Sequence, residues 1–250
     1  MLVGACIVAS IALQASPAVA AEVTTVGTGS QVVELCKIDL SRDIVRTFWR
    51  DTDGTFFGSI AKVTSRLQQR GERLVCASNA GIFGKDLRPL GLYVENGHTF
   101  RRINTRKEGY GNFYLQPNGV FWVTPDGAAI ASTDEVQSRL EQIAPQIKFA
   151  TQSGPILFRA NQINPLFLPG SDNRLVRNAI CVKSVSQIVL AKSRFPINFY
   201  DFSVALRDEV GCQDGLYLDG SISELYPFEG RLLGTQFGPM IGVVVPVTNP

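Results

Sequence analysis

The segment GLYLDGSISELY, residues 215–226, carries an apolar run that stops at Asp219-Gly220-Ser221. A carboxylate, a turn residue and hydroxyls at the mouth of a buried strand are fixed by the sheet and reached from the loop, an arrangement suited to reactive groups. In an extended chain Leu216 and Leu218 share one face, and Tyr217 and Asp219 share the other. Taken alone, the Asp219-Gly220 pair reads equally well as a hairpin turn. Other apolar runs end in similar clusters: Asn79-Ala80-Gly81-Ile82-Phe83, Thr151-Gln152-Ser153-Gly154-Pro155, and Asp172-Asn173-Arg174 leading into Arg177-Asn178. Brought to one rim, these ends would form a cleft with a carboxylate, amides, hydroxyls, an arginine and exposed backbone N–H groups. Such a set suits a sugar joined to an anion, with amides and hydroxyls for the ring oxygens and a guanidinium fork for phosphate. Arg174 and Arg177, three residues apart on a strand, point to opposite faces. Arg177 is favoured for the cleft because it lies inside the apolar run LVRNAICV, where a charge needs a partner.

Other chemistries lack their residues. The single histidine, His98, follows the turn pair Asn96-Gly97, and no GxSxG elbow occurs, which argues against a Ser-His-Asp hydrolase. No Walker A loop or dinucleotide fingerprint follows a strand, so no nucleotide cofactor is indicated. The formal charge is +2, spread over interleaved acids and bases without a basic stripe, so nucleic acid is not an expected partner.

Residues 1–21 carry no charged side chain, run apolar from Ile7 to Leu13 and close on Ala18-Val19-Ala20, the pattern of a signal peptide cleaved before Ala21 or Glu22. This predicts a periplasmic or secreted product. No later run approaches the roughly 18 apolar residues of a membrane span. Four cysteines remain after the signal, Cys36, Cys76, Cys181 and Cys212. An even number in an oxidising compartment favours disulfides, with three pairings open.

The elements that must position the polar clusters follow from periodicity. Residues 22–30 read as a loose leader, and 31–250 as one domain. Strands over 32–40 and 44–49 form an expected pair across Ser41-Arg42-Asp43. Phe57, Ile60, Ala61, Thr64 and Leu67 recur at helical spacing and stop at Gly71. A buried strand follows over 74–78. Turn pairs at Asn96-Gly97, Asn118-Gly119 and Asp126-Gly127 predict a β-meander over 91–131. A short helix is expected near 134–143, with strands near 147–151, 154–158, 176–182 and 186–191. Phe199, Phe202, Leu206 and Val210 mark a second main helix, capped by Asn198 and ended by Gly211. Strands over 215–219 and 240–247 complete an α+β domain with mixed or antiparallel sheets, a central β-meander and two main helices.

In this order the segments NAGIF (79–83), PLGLYVENG (89–97), GNFYLQPNGVF (111–121), QSGPILF (152–158), RNAI (177–180) and LYLDGSISELY (216–226) resemble the phosphodiester glycosidase family. Animal members of that family remove N-acetylglucosamine from a phosphodiester. The resemblance implies cleavage of the anomeric C–O bond of a sugar-1-phosphodiester of the cell envelope, and it maps Asn79, Gly81, Gln152, Ser153, Gly154, Arg177, Asp219 and Gly220 onto the shared cleft. Phosphate departs with little protonation, so the demand for a strong general acid is relaxed. Arg177, with backbone N–H groups near Gly81 or Gly154, would stabilise the leaving phosphate, while Asp219 would serve as base or steady the oxocarbenium-like carbon. Asn79, Gln152 and Ser153 would orient sugar hydroxyls, with Arg174, Asn178, Gly220 and Ser221 beside them. Tyr217 or Phe83 would stack on the ring. Two alternatives stay open: a phosphodiesterase using a divalent cation on Asp219 with Glu224 or Asp172, which cleaves P–O instead, and a glycan-binding module without turnover.

Overall fold

The runs rich in Val, Ile and Thr form strands, and the segments with three-to-four apolar spacing form helices, as their side-chain preferences dictate. The structure, a computed structural model, describes residues 21–219, 222–228 and 236–247. In chain order its elements are β1 (Glu22–Val26), β2 (Val33–Asp39), β3 (Ile44–Phe48), α1 (Ile60–Gln69), β4 (Glu72–Asn79), β5 (Tyr93–Glu95) and β6 (His98–Arg101). Next come β7 (Gly119–Thr124), β8 (Gly127–Ser132), α2 (Thr133–Ile143), β9 (Phe149–Ser153), β10 (Ile156–Arg159) and β11 (Gln162–Ile163). The rest are β12 (Asn178–Ser184), β13 (Gln187–Ser193), α3 (Phe199–Val204), β14 (Asp214–Asp219), β15 (Leu225–Tyr226) and β16 (Met240–Pro246).

They assemble into three antiparallel sheets, ordered β1-β2-β13-β12-β14-β10-β11, β15-β4-β16-β3 and β6-β5-β9-β7-β8. Each sheet turns one face inward to a common core and has a helix packed on the other. The shared core holds Cys36, Ile38, Ile180 and Leu218 from the first sheet, Cys76, Ile241 and Val243 from the second, and Phe121, Ile130 and Phe149 from the third. Outside it, α3 lays Phe199 and Phe202 on Leu35, Ala179 and Tyr217, and α1 lays Val63 and Leu67 on Leu74, Ala77 and Met240. Val136 of α2 covers Val120 and Trp122. Full burial of each such aliphatic or aromatic side chain stabilises by about 1.5–3 kcal/mol. Period-two alternation along β12 and β14 thus feeds two different layers from one strand.

The helix ends follow their caps. Ser59 Oγ accepts from the Lys62 N–H at α1, and α1 closes before Gly71, whose φ of +68° suits glycine. Ser132 and Glu135 form a reciprocal capping box on α2. Asn198 Oδ1 accepts from the Asp201 N–H at 2.8 Å on α3, which continues as a wider turn over Ala205–Glu209 to Gly211. Disulfides join Cys36 to Cys76, tying β2 to β4 through the shared core, and Cys181 to Cys212.

Several expectations are corrected. The leader is not loose throughout: Val23, Thr24, Thr25 and Val26 favour extension, and β1 pairs with β2. The strands over 32–40 and 44–49 exist but do not pair with each other. Buried on both faces, β2 sits between β1 and β13, while β3 pairs with β16 in another sheet. The region 91–131 is not a meander, because β9 lies between β5 and β7. Asn96-Gly97 does turn the β5–β6 hairpin with φ of 51° and 77°. Asn118 has no positive φ and instead donates its amide to the Phe113 carbonyl at 3.0 Å, so Asn118-Gly119 makes no such turn. The domain is α+β with sheet predominating, its sheets are antiparallel rather than mixed, and α2 at 11 residues makes a third helix as substantial as α1.

Candidate active site

Strands from all three sheets finish at one end of the shared core. There β4 ends at Asn79, β9 at Ser153 and β14 at Asp219, while β12 begins at Asn178. Across the β12–β14 ladder Asn178 stands opposite Asp219, next to a bulge between Asn178 and Ala179. A bulge at a strand end re-aims the neighbouring side chains.

Asn178 is the hub. Its Oδ1 accepts from the Asp219 N–H at 2.8 Å, and its Nδ2 donates to Asn79 Oδ1 at 2.9 Å, Ser78 Oγ at 3.0 Å and the Asn79 carbonyl at 3.2 Å. Asn79 in turn donates to the Ile222 carbonyl at 2.8 Å and accepts from the Glu224 N–H at 3.0 Å. Ser153 Oγ donates to the Leu218 carbonyl at 3.0 Å, and Ser223 Oγ reaches the Asp219 carbonyl at 2.8 Å. Four buried side chains therefore clamp the backbone on both sides of Asp219, and Asp219 itself stays half-buried at the rim. The clamp is what a positioned carboxylate requires.

The same bonds correct the expected roles of Asn79, Asn178, Ser153 and Gln152. Their side chains are almost fully enclosed, and their polar atoms hold the protein. Gln152 lies on the face of β9 opposite Ser153. Its Oε1 accepts from the N–H groups of Leu92 and Asn104, both at 2.9 Å, and its Nε2 donates to the Asn104 carbonyl at 2.7 Å and Thr133 Oγ1 at 2.9 Å. With four bonds made, it has nothing left for a sugar hydroxyl.

Arg177 is completely enclosed. Its Nε donates to the Ile197 carbonyl at 2.8 Å, and its Nη2 to the carbonyl and Oδ1 of Asn173 at 2.8 and 3.0 Å. The guanidinium lies 3.6 Å from the Phe199 ring centroid and 5.6 Å from that of Tyr217. Among the described residues no carboxylate forms an ion pair with it, and its Nη1 has no hydrogen-bond partner. Burial lowers the pKa of Arg177 from the usual arginine value. Tyr217 Oη is likewise buried, next to Arg177 and Asn112 but without a hydrogen bond of good geometry. Burial pushes the Tyr217 hydroxyl well up, the Asp219 charge adds to this, and the guanidinium opposes it. Tyr217 and Asp219 thus share a strand face and an electrostatic environment with Arg177.

The remaining expected residues scatter. Arg174 is exposed on the loop before β12 and faces Asp201 at 3.8 Å, away from the clamp. Phe83 is partly buried and packs against the cluster under α1. Gly81, at φ +79°, lies so close to β9 that a Cβ would strike Thr151 Oγ1. Gly154 abuts Asn118, 2.7 Å from the position a Cβ would take. Gly81 thus allows two sheets to converge, and Gly154 lets the end of β9 pass close to the start of β7. Gly220 and Ser221 lie outside the described residues. Asp172 is exposed on the loop before β12, whereas Glu224 is tied to the clamp through Asn79. Among the described residues no three His, Cys, Asp or Glu side chains gather as a ligand set. Sequence reasoning missed Ser78, Ser223 and Asn112, the last lying beside the Tyr217 hydroxyl. Their one signal is small polar residues at the ends of apolar runs.

Fold and site together define a sheet-rich α+β protein whose polar groups converge at strand ends, with an acid on the rim and, behind it, a buried cation that has no carboxylate partner among the described residues. Residues 72–239 match the phosphodiester glycosidase family, and the chain belongs to that family. It is 30% identical over 227 residues to the uncharacterized protein YigE of Escherichia coli (strain K12), covering 91% of this chain and 86% of that protein. The fold is similar to the zebrafish N-acetylglucosamine-1-phosphodiester alpha-N-acetylglucosaminidase catalytic domain auto-inhibited by its pro-peptide, with a TM-score of 0.57 at 14% identity over 89% of this chain and 81% of that one. A hypothetical protein from Synechocystis is also similar, with a TM-score of 0.54 at 15% identity over 90% of this chain and 62% of that one.

Proposed function

We propose that the protein is an exported glycosidase that hydrolyses the anomeric C–O bond of a sugar-1-phosphodiester, releasing free sugar and a phosphomonoester. The observation that carries this reading is Arg177. A buried guanidinium without a carboxylate is costly, and an anion bound nearby repays that cost. Its fork is already engaged by the Ile197 and Asn173 carbonyls and the side chain is completely enclosed, so it acts through its field, not as a bidentate phosphate clamp. Tyr217 Oη, kept protonated, adds a buried dipole on the same face. Asp219, clamped at the rim, takes a proton from the attacking water or steadies positive charge at the anomeric carbon. Water adds its oxygen to that carbon while the C–O pair leaves with the phosphate.

Two disulfides fit an oxidising compartment, and no helix among the described residues is long and apolar enough to cross a membrane. Both accord with an envelope or extracellular substrate.

The test is turnover of a sugar-1-phosphodiester in oxygen-18 water. The heavy oxygen is expected in the released sugar, and Asp219→Asn should lower kcat by about 10²–10⁴. Label found in the phosphate would replace this mechanism with P–O cleavage. Binding without turnover, unchanged in the Asp219→Asn variant, would replace it with a carbohydrate-binding role.

A further inference from the structure

The segment after β6 builds a second feature. Phe100, Arg101, Arg102, Asn104, Arg106 and Tyr114 line a concave groove of about 640 Å³. Resting on the reading above, we propose that this groove is a binding track for an anionic glycan chain with repeated phosphodiester links, leading its reactive unit toward Asp219.

Three observations support the track. First, Arg101, Arg102 and Arg106 are all exposed, and among the described residues none of them forms an ion pair, whereas neighbouring Lys107 is neutralised by Asp134 at 2.7 Å. Three unpaired guanidiniums in one hollow raise the local positive potential even though the whole chain is nearly neutral. Second, the groove has aromatic walls. The Arg106 guanidinium lies 5.5 Å from the Tyr114 ring centroid, and Phe100 is 45% exposed. Rings beside guanidiniums match a polymer that alternates apolar sugar faces with phosphates. Third, the floor is rigid. Gln152 holds both backbone groups of Asn104, Asn104 Nδ2 donates to the Leu90 carbonyl at 3.0 Å, and Asn104 Oδ1 accepts from the Arg106 N–H at 3.1 Å. A pre-ordered lining spares part of the entropy of binding.

The groove is linked to the site through β9, whose two faces serve them separately. Gln152, under the groove, is followed by Ser153, which bonds the carbonyl of Leu218 next to Asp219. Further along the same segment, Asn112 comes beside the Tyr217 hydroxyl.

The experiment compares the full chain with the triple variant Arg101→Gln, Arg102→Gln, Arg106→Gln. All three positions are exposed, so the fold is expected to persist. Binding of inorganic polyphosphate, read by calorimetry at several salt concentrations, reports on the groove whether or not turnover occurs. The triple variant should bind at least tenfold more weakly, and its slope of log affinity against log salt should shrink by about 2, at about 0.7 per lost phosphate contact. With substrates, KM for an oligomeric sugar phosphodiester should rise about tenfold, while kcat/KM for a single-unit diester stays unchanged. Equal polyphosphate affinity and equal salt slope in both proteins would overturn the track. If a single-stranded oligonucleotide binds more tightly than the glycan oligomer, the glycan assignment fails. Absence of turnover with both substrates, alongside groove-dependent binding, would refute the hydrolytic reading but not the groove.

Discussion

Substituting Asn178 by Asp tests whether this side chain holds the Asp219 segment or waits for a ligand. The carboxylate can still accept from the Asp219 N–H, now at 2.8 Å, but it cannot donate to Asn79 Oδ1, Ser78 Oγ or the Asn79 carbonyl, at 2.9, 3.0 and 3.2 Å. Ser78 can rotate its hydroxyl to donate, which leaves two oxygens facing an enclosed anion. Two lost hydrogen bonds at about 1 kcal/mol each, plus about 2 kcal/mol for burying the charge, give about 4 kcal/mol. With a urea slope of about 3 kcal/mol per molar, the unfolding midpoint should fall by about 1.3 M at pH 8. The new carboxyl should have a folded pKa raised above its unfolded value. A raised carboxyl binds its proton better in the folded state, so the variant's stability is retained below the unfolded pKa and lost as pH rises through the folded one. The midpoint deficit should therefore be smaller at pH 5 than at pH 8. Asn178→Ala, which loses the same two bonds and also leaves the Asp219 N–H without its acceptor, should cost about 3 kcal/mol with little dependence on pH. An Asn178→Asp protein as stable as the parent at pH 8 would show that the donor network is not as described and would remove the clamp from the argument.

Mass mapping of unreduced peptides should recover Cys36–Cys76 and Cys181–Cys212 and no other pairing; with separations of 40 and 31 residues, loss of either bridge through paired Cys→Ser changes should cost about 4 kcal/mol in denaturant unfolding. Lys192 Nζ and Arg194 Nε share the buried Glu34 carboxylate at 2.9 and 3.0 Å, so Lys192→Met, which leaves Arg194 as the remaining cation, should destabilise by about 2 kcal/mol, and adding Glu34→Met should recover part of the loss in a urea titration. Glu135 is held at a pKa of about 2, first by the Ser132 hydroxyl and further by Arg159, against its burial. Because the folded pKa lies below the ordinary value, this contribution is present above about pH 4.5 and fades as pH falls toward 2. Ser132→Ala should raise the Glu135 titration point seen by NMR and lower stability at pH 7 by about 1 kcal/mol through the lost cap.

Most elements were readable because their signals are local. Phe57 to Leu67 repeat at helical spacing, Asn96-Gly97 demands a tight hairpin, and Asn198 offers an oxygen to the first turn of α3. Pairing was less legible, because a strand's partner depends on where distant chain segments return. Nothing in residues 91–131 announces that β9 will enter between β5 and β7. The polar strand ends could be seen, and Asn79, Ser153, Asn178 and Asp219 do come together. Whether each faces a cleft or the protein could not be read. Gln152 and Ser153 are neighbours of similar character, yet alternation sends one under the Leu90–Asn104 loop and the other against Leu218. Arg177 stood out because a charge interrupted an apolar run, but that reasoning predicted a reachable fork, and the carbonyls of Ile197 and Asn173 occupy it.

One strand, β14, gives Tyr217 to the layer under α3 and Leu218 to the core shared by the three sheets, and then delivers Asp219. The acid therefore acts as a gauge of two independent hydrophobic compartments at once. Loosening either one, even far from the cleft, should register as drift of a single carboxylate, so activity should decline on warming before bulk melting is detectable. Attempts to retune this site would do better to alter the loops that border the opening than to repack its interior.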